Sequence, residues 1–192
     1  MAATKQQYDT IQGPYDYIRT ASIALIEREN VHEKVAPFIK KARILELACG
    51  SGFYTYSFLE WGASSVLGVD ISSIMLDEAK RQGEGKKVSF IQADCSIPRA
   101  YDGGPFDVVF GAWLLNYAPD RVGLVNIFRN IAINLKDGGR FVSITVPPSS
   151  HPIDSINAEA NARPMPAGSG YLIYNHIRDV EDGVYFRVGV IL

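Results

Sequence analysis

From residue 43 onward, the pattern of apolar and polar residues alternates between two kinds of segment. Short apolar runs predict β-strands, and the longer amphipathic segments between them predict α-helices. The predicted strands are Arg43–Ala48, Ser65–Val69, Lys87–Ile91, Phe106–Gly111 and Arg140–Val146, and the predicted helices cover 53–61, 73–82 and 120–136. Strands that alternate with helices are typical of a parallel sheet with helices on both faces. The chain is therefore expected to have an α/β fold.

The ends of the helices carry their own signals. Ser72 or Ser73 is expected to cap the second helix, and Gly138-Gly139 is expected to stop the third. Apolar residues recur at helical spacing along that third helix and predict the face that packs in the core. They are Val122, Val125, Ile127, Phe128, Ile131 and Leu135.

The segments on either side of this core differ from it. Residues 1–42 are expected to form an amphipathic leader with helices at 18–29 and 31–40, and residues 147–170 form a loop rich in Pro and Gly. Tyr171–Arg178 and Val184–Leu192 flank a Glu-Asp-Gly turn and predict a β-hairpin. The predicted divisions are 1–42, 43–146 and 147–192, and the last segment is either a loop with a complete hairpin or the truncated end of the core domain.

Composition and charge limit the range of partners. The 192 residues are 47% apolar and 21% charged, with a net charge of −2, which suits a single core and gives no general attraction to nucleic acid or anionic membranes. No stretch approaches the roughly 20 apolar residues of a membrane span, and residues 1–7 lack a signal-peptide core. We expect a cytoplasmic protein with a small-molecule substrate. Cys49 and Cys95 lack the clustering of a metal site.

The turn after the first strand reads Glu46-Leu47-Ala48-Cys49-Gly50-Ser51-Gly52-Phe53. Glycines permit a tight turn, and the unpaired N–H groups at the start of the following helix favour a negatively charged or nucleotide-like ligand. A dinucleotide fingerprint would need glycine or alanine at position 55, where this chain has Thr55. The turn therefore predicts a nucleotide site without specifying a dinucleotide.

Carboxylates follow the next two strands. Asp70 lies 18 residues after Gly52, near the spacing at which a carboxylate reaches ribose hydroxyls in βαβ folds. This prediction requires that the Asp70 side chain does not turn into the protein interior. Asp94 can accept a hydrogen bond from an exocyclic amine, which favours adenine, or it can cap the turn before Pro98. Ile71 and Met75 are placed to enclose the adenine ring.

Together, these motifs resemble class I S-adenosylmethionine-dependent methyltransferases of the fungal and bacterial small-molecule type. The resemblance implies a Rossmann-like, mostly parallel sheet with an N-terminal helical lid and S-adenosylmethionine as cofactor. It implies that Glu46, Gly50 and Gly52 hold the methionine part, with Ala48 and Phe53 in the same turn. It places Asp70 at the ribose, Asp94 and Cys95 at the adenine, and Gly111 and Ala112 beyond the sulfonium. In many such enzymes a tyrosine-aspartate motif closes the lid, a role that Tyr15 would take here.

The sequence assigns no catalytic base. His151, Tyr8 and Tyr15 are candidates, and each is equally readable as a loop or packing residue. Two other functions stay open: a catalytically silent methyltransferase fold that binds a nucleoside or a partner, and a nicotinamide-dependent oxidoreductase.

The C-terminal part departs from the family, because class I methyltransferases continue past strand five with a helix and an antiparallel pair. The predicted hairpin is either that pair or an inserted substrate lid. If the pair is absent, strand five is an open edge, which predicts a homodimer or a destabilised fragment.

Overall fold

The computed structural model describes residues 22–83, 85–145, 171–180 and 183–191. The chain divides into two compact units. The described part of the larger unit is residues 28–83 and 85–145, and that of the smaller unit is residues 22–27, 171–180 and 183–191. The predicted division at residues 42 and 146 stays a prediction.

The larger unit contains a five-stranded sheet of order β3-β2-β1-β4-β5, in which every neighbouring pair is parallel. The strands are β1 (Arg43–Leu47), β2 (Ser65–Asp70), β3 (Val88–Gln92), β4 (Phe106–Ala112) and β5 (Leu135–Ile144). The helices are α1 (Ser22–Ile39), α2 (Phe53–Glu60), α3 (Ser73–Arg81) and α4 (Arg121–Asn134), with a short 3-10 helix at Leu114–Tyr117. The predicted α/β fold with a parallel sheet is confirmed, and β1 lies at the centre of the sheet.

Successive residues of the central strands bury opposite faces, as the twofold repeat of a strand requires. On one face, Ile44 and Val108 pack with α1 and α2 through residues such as Val35 and Phe58. On the other face, a second cluster joins strand residues such as Leu45 to Ile127 and Ile131 of α4. Helices therefore cover both faces of the sheet, and the strand ends are left to form the site.

One continuous helix, α1, replaces the two helices predicted at 18–29 and 31–40. The predicted break near Asn30 is wrong, because the helix is continuous from Ser22 to Ile39. Arg28 before that point donates to the Ser57 hydroxyl of α2 at 2.8 Å, and Val31 after it packs in the core cluster. Helical spacing along one face holds these residues in a single helix.

The predicted end of the third helix, now α4, is also wrong. The helix stops at Asn134 rather than at residue 136, and β5 begins at Leu135 rather than at Arg140. Leu135 pairs with Phe106, and Arg140 pairs with Val108, so four residues of β5 lie opposite one residue of β4. Gly138, with φ of 72°, belongs to this bulge and does not cap the helix.

The apolar stripe predicted for α4 is wrong in part. Ile127 and Ile131 are buried, whereas Val122, Val125 and Phe128 are 67%, 41% and 44% exposed. The buried face is completed instead by two polar residues, Asn130 and Asn134.

The predicted hairpin is confirmed as β6 (Tyr171–Val180) and β7 (Gly183–Ile191), which pair with each other in a separate antiparallel sheet. Among the described helices, none is both long enough and apolar enough to cross a membrane.

Candidate functional site

The carboxyl ends of four neighbouring strands carry the residues that the motifs predicted. In the order β3, β2, β1 and β4, these ends lead into Asp94, Asp70, the glycine turn and Gly111-Ala112. Adjacent strands lie about 4.8 Å apart, so the row spans about 14 Å. Ligands of open α/β sheets bind at this kind of edge.

The glycine turn between β1 and α2 has a backbone that glycine makes possible. Gly50 and Gly52 have φ of 54° and 87°, and Ala48 also has a positive φ of 57°. The Gly52 N–H donates to the Cys49 carbonyl at 3.0 Å and closes the turn just before α2 begins. A Cβ at position 52 would lie 3.0 Å from the Tyr56 ring. The backbone at Gly52 therefore lies close to the Tyr56 side chain where α2 begins.

Asp70 connects this turn to the turn after β2. Its Oδ2 accepts the Gly50 N–H at 2.8 Å, and its Oδ1 accepts the Ser72 N–H at 2.9 Å. The residue is 8% exposed, which is more buried than the predicted ribose contact implied. Burial raises the pKa of the Asp70 carboxyl, and the backbone hydrogen bonds only partly offset this rise. The carboxylate lies between the two turns at the sheet edge, where it bonds the backbone of both.

Glu46, the predicted contact for the methionine part, is 1% exposed. The Thr55 hydroxyl of α2 donates a hydrogen bond to its Oε2. Position 55 therefore holds a partner for the acidic residue of the motif, where a dinucleotide fingerprint has a third glycine or alanine. Sequence reasoning missed this role, although the nine-residue separation of the two side chains was visible.

Asp94 is half-buried after β3 and caps a turn. Its Oδ1 accepts the Ser96 N–H at 2.8 Å and the Ser96 hydroxyl at 2.7 Å. The capping role that the sequence left open is thus present, and the described residues give no hydrogen bond to Oδ2. The Ala93 N–H donates to the Asp70 carbonyl at 2.9 Å, which joins this turn to β2.

Cys95 is buried in the core cluster beneath the turn, and burial raises the pKa of its thiol to about 12. Cys49 is also buried, and desolvation raises the pKa of its thiol well above the usual value. Neither thiol forms a disulfide, and the described residues contain no group of side chains suited to hold a metal ion. Both cysteines are protonated packing residues, so only the backbone of Cys95 is suited to contact adenine.

Gly111 and Ala112 end β4 beside β1, where Glu46 pairs with Phe110. Gly111 is buried, and a Cβ there would lie 2.8 Å from Leu114. Trp113, which follows Ala112, has a positive φ of 61° and donates its N–H to the Ile144 carbonyl at 2.8 Å. The chain therefore turns sharply away from the sheet at the point predicted to face the sulfonium.

The remaining predicted contacts differ in accessibility. Ile71 is 39% exposed beside Asp70, whereas Met75 is buried in α3. The Met75 N–H donates to the Ser72 hydroxyl that caps this helix. Phe53 is half-buried at the start of α2 and packs edge-on against Tyr54. Tyr15 lies outside the described residues, as do Tyr8 and His151. Each of these contacts stays a prediction.

Comparison with known proteins agrees with this geometry. A family described as a methyltransferase domain matches residues 44–139, which is half of the chain. The chain is 35% identical over 122 residues to a demethylmenaquinone methyltransferase of Lactococcus lactis, covering 61% of this chain and 46% of that protein. It is 31% identical over 144 residues to a malonyl-[acyl-carrier protein] O-methyltransferase of Legionella pneumophila, covering 70% and 47%.

Among solved structures, an S-adenosylmethionine-dependent methyltransferase from Mesorhizobium loti matches with a TM-score of 0.52 and 30% identity, covering 59% of this chain and 51% of that one. This chain belongs to the methyltransferase-domain family. The methyltransferase domain contains every strand-end residue from Glu46 to Ala112 described above. The chain spans about half the length of the two curated relatives.

The methyltransferase domain thus brings together three of the predicted groups directly: the glycine turn, Asp70 and the turn at Asp94. Glu46 lies beside them on β1 but is covered by Thr55. Sequence reasoning also missed Ser72 as a backbone donor to Asp70, since a backbone N–H leaves no trace in the residue type. The capping role of the Ser72 side chain was predicted and is confirmed.

Proposed function

We propose that this protein transfers the methyl group of S-adenosylmethionine to a small-molecule acceptor. The proposal rests on the position of the Asp70 carboxylate. It accepts hydrogen bonds from the turn after β1 and from the turn after β2, and so lies directly beside the glycines of the first turn. This edge of the sheet brings backbone amides and a carboxylate together, as a ribose with an amino-acid tail requires.

The hydrogen-bonding capacity of Asp70 fits this cofactor. Each carboxylate oxygen can accept two hydrogen bonds. In this structure the Ser72 N–H bonds Oδ1 and the Gly50 N–H bonds Oδ2, and the Ile71 N–H also favours the charged carboxylate. The remaining capacity suits two ribose hydroxyls, even though the side chain is largely buried. Asp94 fits in the same way, since both of its hydrogen bonds from Ser96 fall on Oδ1.

We assign the parts of the cofactor accordingly. Glu46 with the glycine turn would hold the methionine part, Asp70 the ribose, and the backbone and carboxylate of the Asp94 turn the adenine. Gly111 and Ala112 would border the sulfonium, and Ile71 would cover one face of the adenine. Tyr15 and residues 1–42 are proposed as the lid.

The reaction requires little acid–base chemistry from the protein. The cofactor supplies an electrophilic methyl group on a sulfonium, and a lone pair of the acceptor displaces it as the S–C bond breaks. The residues of the chain have to align the acceptor with that bond and exclude water. A hydroxyl or protonated amine acceptor also needs a base, and no described residue is assigned that role.

A small-molecule acceptor is the substrate class that we favour. Two curated relatives are named as a demethylmenaquinone methyltransferase and a malonyl-[acyl-carrier protein] O-methyltransferase, and the chain carries a net charge of −2. The atom that is methylated is left to experiment.

Calorimetry with S-adenosylmethionine and S-adenosylhomocysteine tests the proposal, followed by detection of methyl transfer from labelled cofactor to candidate quinol, acid and phenol acceptors. Binding with turnover is expected. Binding without turnover on any acceptor would favour a silent nucleoside-binding module, and enhanced NADH fluorescence without binding of either methionine nucleoside would favour an oxidoreductase.

We also propose that the chain forms a homodimer in the cytoplasm. In the described part of the chain, β5 pairs only with β4, so its outer edge is available to a second copy. Unpaired Cys49 and Cys95 agree with a reducing compartment. Light scattering at micromolar concentration is expected to give the mass of two chains, and a monomer would contradict the dimer; cell fractionation checks the compartment.

A further inference from the structure

Two asparagines of α4 are fully enclosed in the protein. Asn130 is 0% exposed and Asn134 is 2% exposed, one turn apart on the helix face that packs toward the sheet. A buried amide that lacks hydrogen-bond partners costs about 1–3 kcal/mol, so such residues persist where their amides are satisfied. The hydrogen-bond partners of Asn130 and Asn134 therefore indicate the role of the two side chains.

Both side chains bind the backbone of one segment, residues 94–101, which follows β3. Asn130 Nδ2 donates to the Cys95 carbonyl at 3.0 Å, and its Oδ1 accepts the Arg99 N–H at 3.1 Å. Asn134 Nδ2 donates to the Arg99 carbonyl at 2.8 Å, and its Oδ1 accepts the Tyr101 N–H at 2.9 Å.

The two bonds of Asn134 reproduce the pattern of a neighbouring strand. They bind the carbonyl of residue 99 and the N–H of residue 101, the two groups that flank Ala100. A side-chain amide has one donor side and one acceptor side, as a peptide group does. The 94–101 segment therefore obtains from α4 the pairing that its backbone would obtain from a sheet.

The segment begins with the carboxylate proposed to recognise adenine. Asn130 holds the Cys95 carbonyl, and the adjoining Ser96 donates both of its bonds to Asp94 Oδ1. Asp94 is thus linked through the backbone of Cys95 and Ser96 to the buried side-chain amide of Asn130 on α4. A displacement of the Cys95 carbonyl would shift the turn that orients Asp94.

We infer that Asn130 and Asn134 are positioning residues for adenine recognition, acting through the 94–101 segment on Asp94. The inference rests on the proposed function, because it presumes that Asp94 accepts the adenine amino group. Neither asparagine touches the cofactor, and their contribution is to the choice of base rather than to methyl transfer.

The test compares two probes by calorimetry: S-adenosylhomocysteine and S-inosylhomocysteine, in which a carbonyl replaces the adenine amino group. Wild type is expected to prefer the adenosyl probe at least tenfold. Asn130→Ala and Asn134→Asp are expected to reduce this preference to below threefold. Asn126→Ala is the matched control, because Asn126 lies one turn before Asn130 and is bonded to Arg129 of the same helix; it should keep the wild-type ratio.

A double variant separates positioning from simple loss of stability. In an Asp94→Asn background, Asn130→Ala should cause no further loss of the adenosyl preference. Should both asparagine variants weaken the two probes equally, or leave the preference unchanged, the inference is overturned while the proposed function stands. Should wild type bind neither probe, both fall.

Hydrogen exchange on the wild-type protein gives an answer even if the variants do not fold. The Arg99 and Tyr101 amides, held by Asn130 and Asn134, should exchange at least 100-fold more slowly than an unprotected amide before ligand is added. Exchange at the unprotected rate would overturn the inference, because the amides would then not hold the segment.

Discussion

Asp70→Asn changes the centre of the site at nearly constant shape. The native carboxylate accepts one backbone N–H on each oxygen, from Gly50 at 2.8 Å and from Ser72 at 2.9 Å. Asparagine keeps one acceptor and turns an NH₂ group toward the other N–H. A hydrogen bond to a charged group is worth about 1.5–3 kcal/mol, so the loss of one is a substantial penalty to the fold.

The penalty is opposed by the removal of a buried charge. Burial raises the pKa of Asp70 above its ordinary value of 3.8, which means that the fold disfavours the ionised side chain. The neutral amide escapes this cost, so the free energy of unfolding at pH 7 should change by less than about 1.5 kcal/mol. Affinity for S-adenosylhomocysteine has no such compensation, and we expect it to fall roughly 10- to 150-fold, which corresponds to about 1.5–3 kcal/mol.

The pH dependence has a defined sign. Because the pKa of Asp70 is raised in the folded state, its contribution to stability is greatest below pH 3.8 and is lost as the pH rises through the folded pKa. Binding depends on the ionised carboxylate, so affinity should fall about tenfold for each pH unit below the folded pKa. Asp70→Asn should show neither dependence.

The assay is calorimetric titration between pH 4 and pH 8, with urea unfolding at each pH. Asp107→Asn is the control carboxylate, at the opposite end of the sheet, where the Arg43 N–H and Lys136 lower its pKa. Its contribution to stability is present above pH 3.8 and is lost as the pH falls through its folded pKa, and the variant should leave affinity unchanged. If Asp70→Asn bound S-adenosylhomocysteine within twofold of wild type, the assigned ribose contact would be refuted.

Three further predictions concern the surroundings of the site. Thr55→Val should lower the free energy of unfolding by about 1–3 kcal/mol, because buried Glu46 loses a donor, and Thr55→Ser should restore most of it in urea melts; equal stability of all three proteins would contradict this. Gly52→Ala should cost about 1–3 kcal/mol, since φ is 87° and the Cβ would meet the Tyr56 ring at 3.0 Å; an unchanged thermal midpoint would argue against the turn. Cys95, with a thiol pKa of about 12, should resist iodoacetamide at pH 8 until the protein is unfolded, and mass spectrometry showing rapid native labelling would disprove its burial.

The strands could be predicted from the sequence because parallel strands that are buried on both faces appear as nearly continuous apolar runs. The prediction for β2 differs from the structure by one residue, and that for β4 also differs by one. The spacing from the glycine turn to Asp70 likewise placed both at one edge of the sheet. These signals are local, and the right-handed crossovers of a parallel sheet bring the strand ends that carry them to one edge.

The errors arose where a distant contact decides the outcome. The start of β5 depends on the pairing of Leu135 with Phe106 on β4, next to which the Lys136 ammonium pairs with Asp107. No local pattern distinguishes that arrangement from one more helical turn followed by a glycine cap. In the site, the spacing placed Asp70 near the glycines but did not show that its carboxylate would accept the Gly50 N–H.

The buried face of α4 combines predicted and unpredicted residues. Ile127 and Ile131 of the predicted apolar stripe are buried there beside Asn130 and Asn134, whereas Val122, Val125 and Phe128 are exposed. Apolar side chains in place of the two asparagines would leave the Cys95 and Arg99 carbonyls and the Arg99 and Tyr101 amides buried without these partners. Each unsatisfied group would cost about 1–3 kcal/mol, so the two asparagines stabilise the packing of this segment against α4. The same need is met at the other turns by Asp70 and Asp94. Side-chain acceptors thus hold the turns of this edge before a ligand arrives, which reduces the ordering that a cofactor has to impose.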